Sequence, residues 1–199
     1  MKKIIITCVC LLLLGLVATA MAAPDIEKLL MSPKIFRLTE IREPEALLAE
    51  IKKASLRTEE ATALLTVYMF DEKDIPLLQV TLDAGADPNM EFNNEGITPL
   101  MIAIAGEGNE ECARYLMAHG ADVNKITSSG LTALLMATLV SDMPAKWISF
   151  LLQNGADANI TLEDLRPLDL AYINPKLRNT PALTELKNAT TIKGFMEDF

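Results

Sequence analysis

Aromatic residues are scarce, at 5% of 199, and the chain carries one histidine and three cysteines. A single imidazole, His119, excludes any site built on two, including zinc proteases of the H-E-x-x-H type. With so few rings, Leu, Ala, Ile and Met must fill the core, a mix that suits helices better than sheets. Eighteen Lys and Arg stand against 27 Asp and Glu, so nothing advertises nucleic acid. The chain has no Gly-rich phosphate loop, no G-x-S-x-G and no C-x-x-C. Asp83-Ala84-Gly85-Ala86-Asp87 lacks the length and ligand spacing of a calcium loop. What is present is a chain that is 50% hydrophobic and 23% charged. Such a chain can bury a core, and its length fits one domain or a short array of repeats.

The first residues stand apart. Lys2 and Lys3 precede an apolar run from Ile4 to Val17, followed by small residues at Ala18-Thr19-Ala20 and Ala20-Met21-Ala22. This is the layout of a secretory signal peptide, with cleavage expected after Ala22, since cleavage one residue later would leave Pro24 at +1. The alternative is a retained anchor, because Ile4 to Ala23 is uncharged for 20 residues. Cleavage removes two lysines and no acids, so the 18 basic residues become 16 against 27 acids, a formal charge of −11. It also removes Cys8 and Cys10, leaving Cys112 and no possible internal disulfide. An acidic exported protein is steered toward basic partners and away from anionic lipid.

Self-comparison reveals a period. Gly85-Ala86-Asp87, Gly120-Ala121-Asp122 and Gly155-Ala156-Asp157 recur every 35 residues, each followed by x-Asn at Asn89, Asn124 and Asn159. A second signature runs in phase: Gly96-Ile97-Thr98-Pro99-Leu100, Gly130-Leu131-Thr132-Ala133-Leu134 and Arg166-Pro167-Leu168, with Thr62-Ala63-Leu64-Leu65 at the matching place upstream. Two signatures keeping one period mark a repeat architecture. Thr98 is suited to capping a helix whose first position is Pro99, with Leu100, Ala103 and Ile104 as its inward stripe. A second helix is expected from Glu111 to Ala118, stopping at Gly120.

These residues resemble the ankyrin repeat family over roughly residues 59 to 174. The resemblance implies an all-α solenoid of helix-turn-helix units with β-turn tips, about four units counting caps. The expected division is 1–22 signal peptide, 23–58 N-terminal capping segment, 59–92 capping repeat, 93–125 and 126–160 repeats, and 161–199 capping repeat and tail. Glu43-Pro44-Glu45 is expected to open a capping helix through about Ala54, with Leu47, Leu48 and Ile51 inward. The family's histidine after T-P-L is replaced by Met101 and Leu135, so its polar stitching between turns is expected to be absent.

Chemistry is not expected. The acidic pairs Glu59-Glu60, Asp71-Glu72 and Glu110-Glu111 point about 100° apart on a helix and read as solvated faces. Cys112 reads as a buried inert thiol, Trp147 as a packing residue and His119 as a helix-end residue. No enzyme activity, cofactor or metal is implied. The family resemblance implies protein binding through tips and first-helix ends lining a concave groove. By position these are Met90, Phe92, Asn94, Glu95 and Ile97, then Thr127, Ser128 and Leu131, then Leu162 and Glu163, with Leu139 and Val140 at a helix end. Met69, Phe70, Ala105 and Gly106 hold the corresponding ends upstream. The expected partner is another protein with a basic surface, with no nucleic acid and, after cleavage, no membrane. The expected function is a non-enzymatic interaction module in the periplasm or outside the cell. The alternative is an immunity protein that occludes the active site of a periplasm-acting toxin. Expression in an exporting bacterial host is expected to give a mature chain beginning at Ala23, read from its intact mass; an N-terminus retaining Lys2 and Lys3 would indicate the anchor instead.

Overall fold

The computed structural model describes residues 26–69, 72–91, 96–105, 110–140 and 143–190. Among these residues the fold is all-α, with eleven α-helices and one isolated antiparallel bridge, between Leu162 and Leu165. The chain divides into two compact units, Met1–Asp122 with Thr127–Ser129, and Val123–Ile126 with Gly130–Phe199.

The first unit holds α1 (Ile26–Leu30), α2 (Pro33–Thr39), α3 (Pro44–Ala54), α4 (Thr58–Tyr68), α5 (Ile75–Asp83), α6 (Pro99–Ala105) and α7 (Glu110–Ala118). The expected capping helix is α3, with Leu47 and Ile51 buried, but two further helices precede it. Tyr68, fully buried at the end of α4, ties this N-terminal group down by donating its hydroxyl to the Leu38 carbonyl at 3.1 Å. Burial pushes the Tyr68 phenol far above its ordinary pKa, so it stays a donor.

In the second unit are α8 (Ala133–Leu139), α9 (Lys146–Gln153), α10 (Pro167–Ile173) and α11 (Pro181–Ala189). There α8 packs on α9 and α10, and α11 closes over α9 and α10. Residues 176–190 thus supply the partner that α10 lacked, while Phe195 and Phe199 lie outside the described residues.

Each helix start has a local cause. The Thr98 and Thr132 hydroxyls accept from the amides of Met101 (3.3 Å) and Leu135 (3.2 Å), satisfying donors that helix geometry leaves free. Where no hydroxyl stands at the cap, a carboxylate three residues on replaces it: Glu60 accepts from the Arg57 amide and Asp169 from the Arg166 amide, both at 2.9 Å. Hydrogen bonds from Lys34 and from the Arg57 amide hold the Glu60 carboxyl below its usual pKa. Thr62, expected to cap the first repeat helix, sits instead inside α4, which begins four residues earlier. Its buried hydroxyl donates to the Thr58 carbonyl and accepts from the Asp87 amide at 2.8 Å.

The helix ends repeat one geometry. Gly120 has φ +92° in a left-handed cap, where the Ala121 amide reaches back to the Leu116 carbonyl at 2.9 Å. No atom lies within 4 Å of where its Cβ would be, so conformation rather than space selects glycine.

The loops that follow carry the polar stitching. The Asn89 side chain donates to the Gly120 carbonyl (2.8 Å) and accepts from the Asp122 amide (2.7 Å). Asn124 does the same one repeat on, to the Gly155 carbonyl (3.0 Å) and from the Asp157 amide (2.7 Å). The expected loss of stitching is therefore corrected. Met101 and Leu135, standing at the histidine position, are fully buried apolar contacts, and the linkage between turns runs through asparagine instead.

The core is aliphatic and dense. In α6 every residue from Pro99 to Ile104 is buried, and in α8 every residue from Ala133 to Thr138, so neither helix keeps a polar face. Buried threonines are satisfied within their own helices: Thr66 to the Ala63 carbonyl at 2.7 Å, Thr138 to the Leu135 carbonyl at 2.8 Å. Replacing Asn124 by Ala removes both of its bonds to the next loop. Each is worth about 1 kcal/mol net at a partly solvated site, so a loss of about 1–3 kcal/mol is expected by urea denaturation. A cost under ~0.5 kcal/mol would mean that water replaces the amide freely.

Candidate protein-binding surface

The groups with chemical potential are used structurally. Cys112 on α7 is fully buried, and desolvation pushes its thiol up to about 12, the opposite of a nucleophile's environment. The His119 ring nitrogens lie 2.9 Å from the Tyr115 carbonyl and 3.2 Å from the Asp83 carboxylate. Both neighbours are acceptors, so the ring cross-links the ends of α7 and α5. Among the described residues, no group of three or more His, Cys, Asp or Glu side chains could hold a metal ion. Trp147 is fully buried against Phe150, edge to face at 5.2 Å, as a packing residue.

The turn tips separate into buried and open residues. Ile97 is 4% exposed and Thr127 5%, so neither side chain presents a surface, contrary to their expected place in a groove. The reason is close packing between consecutive tips in the first unit. A Cβ on Gly96 (φ +77°) would stand 2.6 Å from Thr127 Cβ and 2.7 Å from the Ser128 amide nitrogen. Only glycine permits that approach, and the chain entering α6 is buried with it. Met69 is likewise buried rather than open. Met90 and Leu131 are half-buried and Ser128 is exposed, while Phe70, Phe92, Asn94, Glu95 and Gly106 lie outside the described residues.

In the second unit the tip is open. Leu162 and Leu165 exchange backbone hydrogen bonds at 2.9 Å in both directions, closing a two-residue hairpin. Its central residues are Glu163 (φ +48°) and Asp164 (φ +66°), both left-handed and exposed. A primed turn demands that conformation, usually met by glycine or asparagine, and a glutamate there is strained by about 1 kcal/mol. Leu165 beside it and Ile126 on the neighbouring loop are exposed large apolar residues. Sequence position pointed to Leu162 and Glu163 but passed over Ile126 and Leu165.

A second open cluster lies at the helix ends. Leu139 is 52% exposed and Val140 42%, so the connection that follows α8 leaves both uncovered. Tyr172 (50%) and Ile173 (69%) end the neighbouring helix α10. The two ends are joined by the Asn174 amide, which donates to the Thr138 carbonyl at 3.1 Å. Tyr172 and Ile173 were missed from sequence, although the signal existed: Ile173 follows Leu139 by the same 34 residues that separate Arg166 from Thr132. Lys187 of α11 places its ammonium 5.3 Å from the Tyr172 ring centroid.

Residues 64–164 match the ankyrin-repeat family in three copies. The chain is an ankyrin-repeat protein. It is 34% identical over 77 residues to ankyrin repeat and SAM domain-containing protein 6 of Rattus norvegicus, and 32% over 115 residues to ankyrin repeat protein FPV216 of fowlpox virus. These matches cover 39% and 56% of this chain, and 9% and 38% of those relatives. A solved structure of the predatory endopeptidase Bd0816 from Bdellovibrio bacteriovorus in complex with immunity protein Bd3460 contains a similar chain. It aligns with TM-score 0.59 and 19% identity, over 85% of this chain and 84% of that one, a likeness of fold. Ankyrin repeats are a protein-binding architecture, so the open clusters of this ankyrin-repeat protein, rather than its buried thiol or its imidazole, are its candidate site. In a chain beginning at residue 23, Cys112 is expected to resist an aromatic disulfide reagent at pH 8 and to react once unfolded in guanidinium. Prompt labelling of the folded chain would contradict the burial.

Proposed function

We propose that this ankyrin-repeat protein is an exported, non-enzymatic binding module that docks a partner protein through the tip of its second unit. The observation that carries this reading is the hairpin Leu162–Leu165, which holds two carboxylates side by side in strained backbone beside exposed Leu165 and Ile126. Strain kept at an exposed tip, where glycine would relieve it, is more consistent with recognition than with stability. Paired acids with apolar neighbours fit a partner with a basic, partly apolar cleft, and the acidic chain steers such a partner toward itself. The signal-like segment before Ala23 supports the periplasm or the exterior as the place of action.

A second reading is favoured by one comparison, the structure containing an endopeptidase with its immunity protein. On this reading the partner is a periplasm-acting toxin whose active site the chain occludes. A single series tests both, using envelope and secreted fractions of the source cell with wild-type chain and variants as bait. Glu163→Gly relieves a left-handed residue and removes a charge. It is expected to raise thermal stability slightly, by up to about 1 kcal/mol, while weakening capture of the partner. Glu163→Lys with Asp164→Lys is expected to slow association by about tenfold or more at low salt, an effect that salt erases. One-to-one inhibition of the captured protein's activity would select the immunity reading. Capture unchanged by both variants would remove the hairpin from the interface.

A further inference from the structure

The helix-end cluster of the second unit has a different chemistry from the tip. Leu139, Val140, Tyr172 and Ile173 form an open apolar patch across the ends of α8 and α10. Cations gather beside it: Lys187 over the Tyr172 ring, and Lys176 and Arg178 within five residues of Ile173. In a chain of formal charge −9, this local balance is the reverse of the whole. The occupant it suits is therefore apolar and acidic.

The chain itself carries such a segment. Residues 191–199 read Thr-Ile-Lys-Gly-Phe-Met-Glu-Asp-Phe, with Ile192, Phe195, Met196 and Phe199 apolar and Glu197 and Asp198 adjacent acids. The segment follows Thr190, which is buried and whose hydroxyl donates to the Leu186 carbonyl at 2.7 Å. That anchor stands three residues beyond Lys187, the residue stacked on Tyr172. Nine residues reach up to about 30 Å when extended, ample to cross two helix ends that lie one helix spacing of about 10 Å apart.

We propose that the patch formed by Leu139, Val140, Tyr172 and Ile173 is a docking surface for the chain's own residues 191–199. Phe195, Met196 and Phe199 cover the aliphatic residues, and Glu197 and Asp198 face Lys176, Arg178 and Lys187. The contact is held by apolar burial and oriented by charge, so it resists moderate salt less well than a purely apolar one. It is independent of the partner assigned to the tip.

The test uses the full chain and no partner. Wild-type protein is compared with Phe195→Asp/Phe199→Asp, which changes only the segment, by binding of the apolar dye 1-anilinonaphthalene-8-sulfonate and by sedimentation. The variant is expected to bind the dye more strongly as a monomer with unchanged helical circular dichroism. A fluorescein-labelled peptide of residues 191–199 is expected to bind the variant and displace the dye. That binding is expected to weaken by more than about tenfold on adding Ile173→Asp, and to fall as salt rises from about 0.05 to about 0.5 M. Ile173 is 69% exposed, so that substitution leaves the fold in place, and the segment variant gives an answer even if it does not. Equal dye binding by wild type and variant, or a peptide that fails to bind the variant, would overturn the proposal. So would a wild-type dimer broken by Ile173→Asp but not by the segment variant, which would give the patch to a second copy.

Discussion

The structure depends on one reciprocal contact, an asparagine side chain read by the backbone of the next loop. An amide offers a donor and an acceptor on one rigid group, and Asn89 and Asn124 each use both, one on a glycine carbonyl and one on an aspartate amide. For that pairing the next loop must present a free carbonyl at its glycine and a free amide two residues later. The left-handed turn at Gly120 or Gly155 produces that presentation, because it reverses the chain while leaving those groups pointing outward. The aspartate completes the set: Asp87 and Asp157 accept from the amides of Asn89 and Asn159 at 2.8 Å, fixing the asparagine's own backbone. Glycine, aspartate and asparagine are thus parts of one device, and its period is the period of the chain.

This explains which features were legible in sequence. Gly-Ala-Asp-x-Asn and Thr-Pro-Leu are local chemistry, since each residue acts within a few positions of itself, so their recurrence gave the repeat period, the helix-end glycine and the Thr98 and Thr132 caps. What a repeat unit touches in the next one was less legible. The missing histidine implied missing stitching, whereas the linkage had only moved to the asparagine, visible once the loops are stacked. Thr62 matched the capping threonine by phase, yet Glu60 caps α4 a turn earlier and frees the Thr62 hydroxyl to receive the Asp87 amide. Ile97 and Thr127 were placed on the surface by position alone. Their burial follows from the contact that the missing side chain of Gly96 permits, a long-range fact with no local signature.

The scarcity of aromatic residues has a structural counterpart. Aliphatic side chains pack closely enough that α6 and α8 are buried on every face, so these helices offer no stripe for recognition. The exception within this core is Trp147, whose indole N–H is buried without an acceptor among the described residues. Such a group costs about 1–3 kcal/mol, which the ring offsets through its size and its edge-on contact with Phe150. Hydroxyls are handled differently: the buried threonines satisfy themselves within their helices and need nothing from neighbours.

With the helix bodies closed, recognition is confined to helix ends and turn tips, and in the second unit these differ in sign. The tip carries Glu163 and Asp164 in a conformation that costs stability, whereas the far ends of α8 and α10 carry apolar side chains with lysine and arginine beside them. A surface of one character would bind a partner in several registers. Opposite charges at the two ends of the same helices give the unit a polarity, so an acidic apolar segment and a basic cleft are sorted to different ends. The asparagine device makes this arrangement stable to sequence change, because none of its groups belongs to either surface. The tips and helix ends can therefore vary in chemistry while the loops between them hold one geometry.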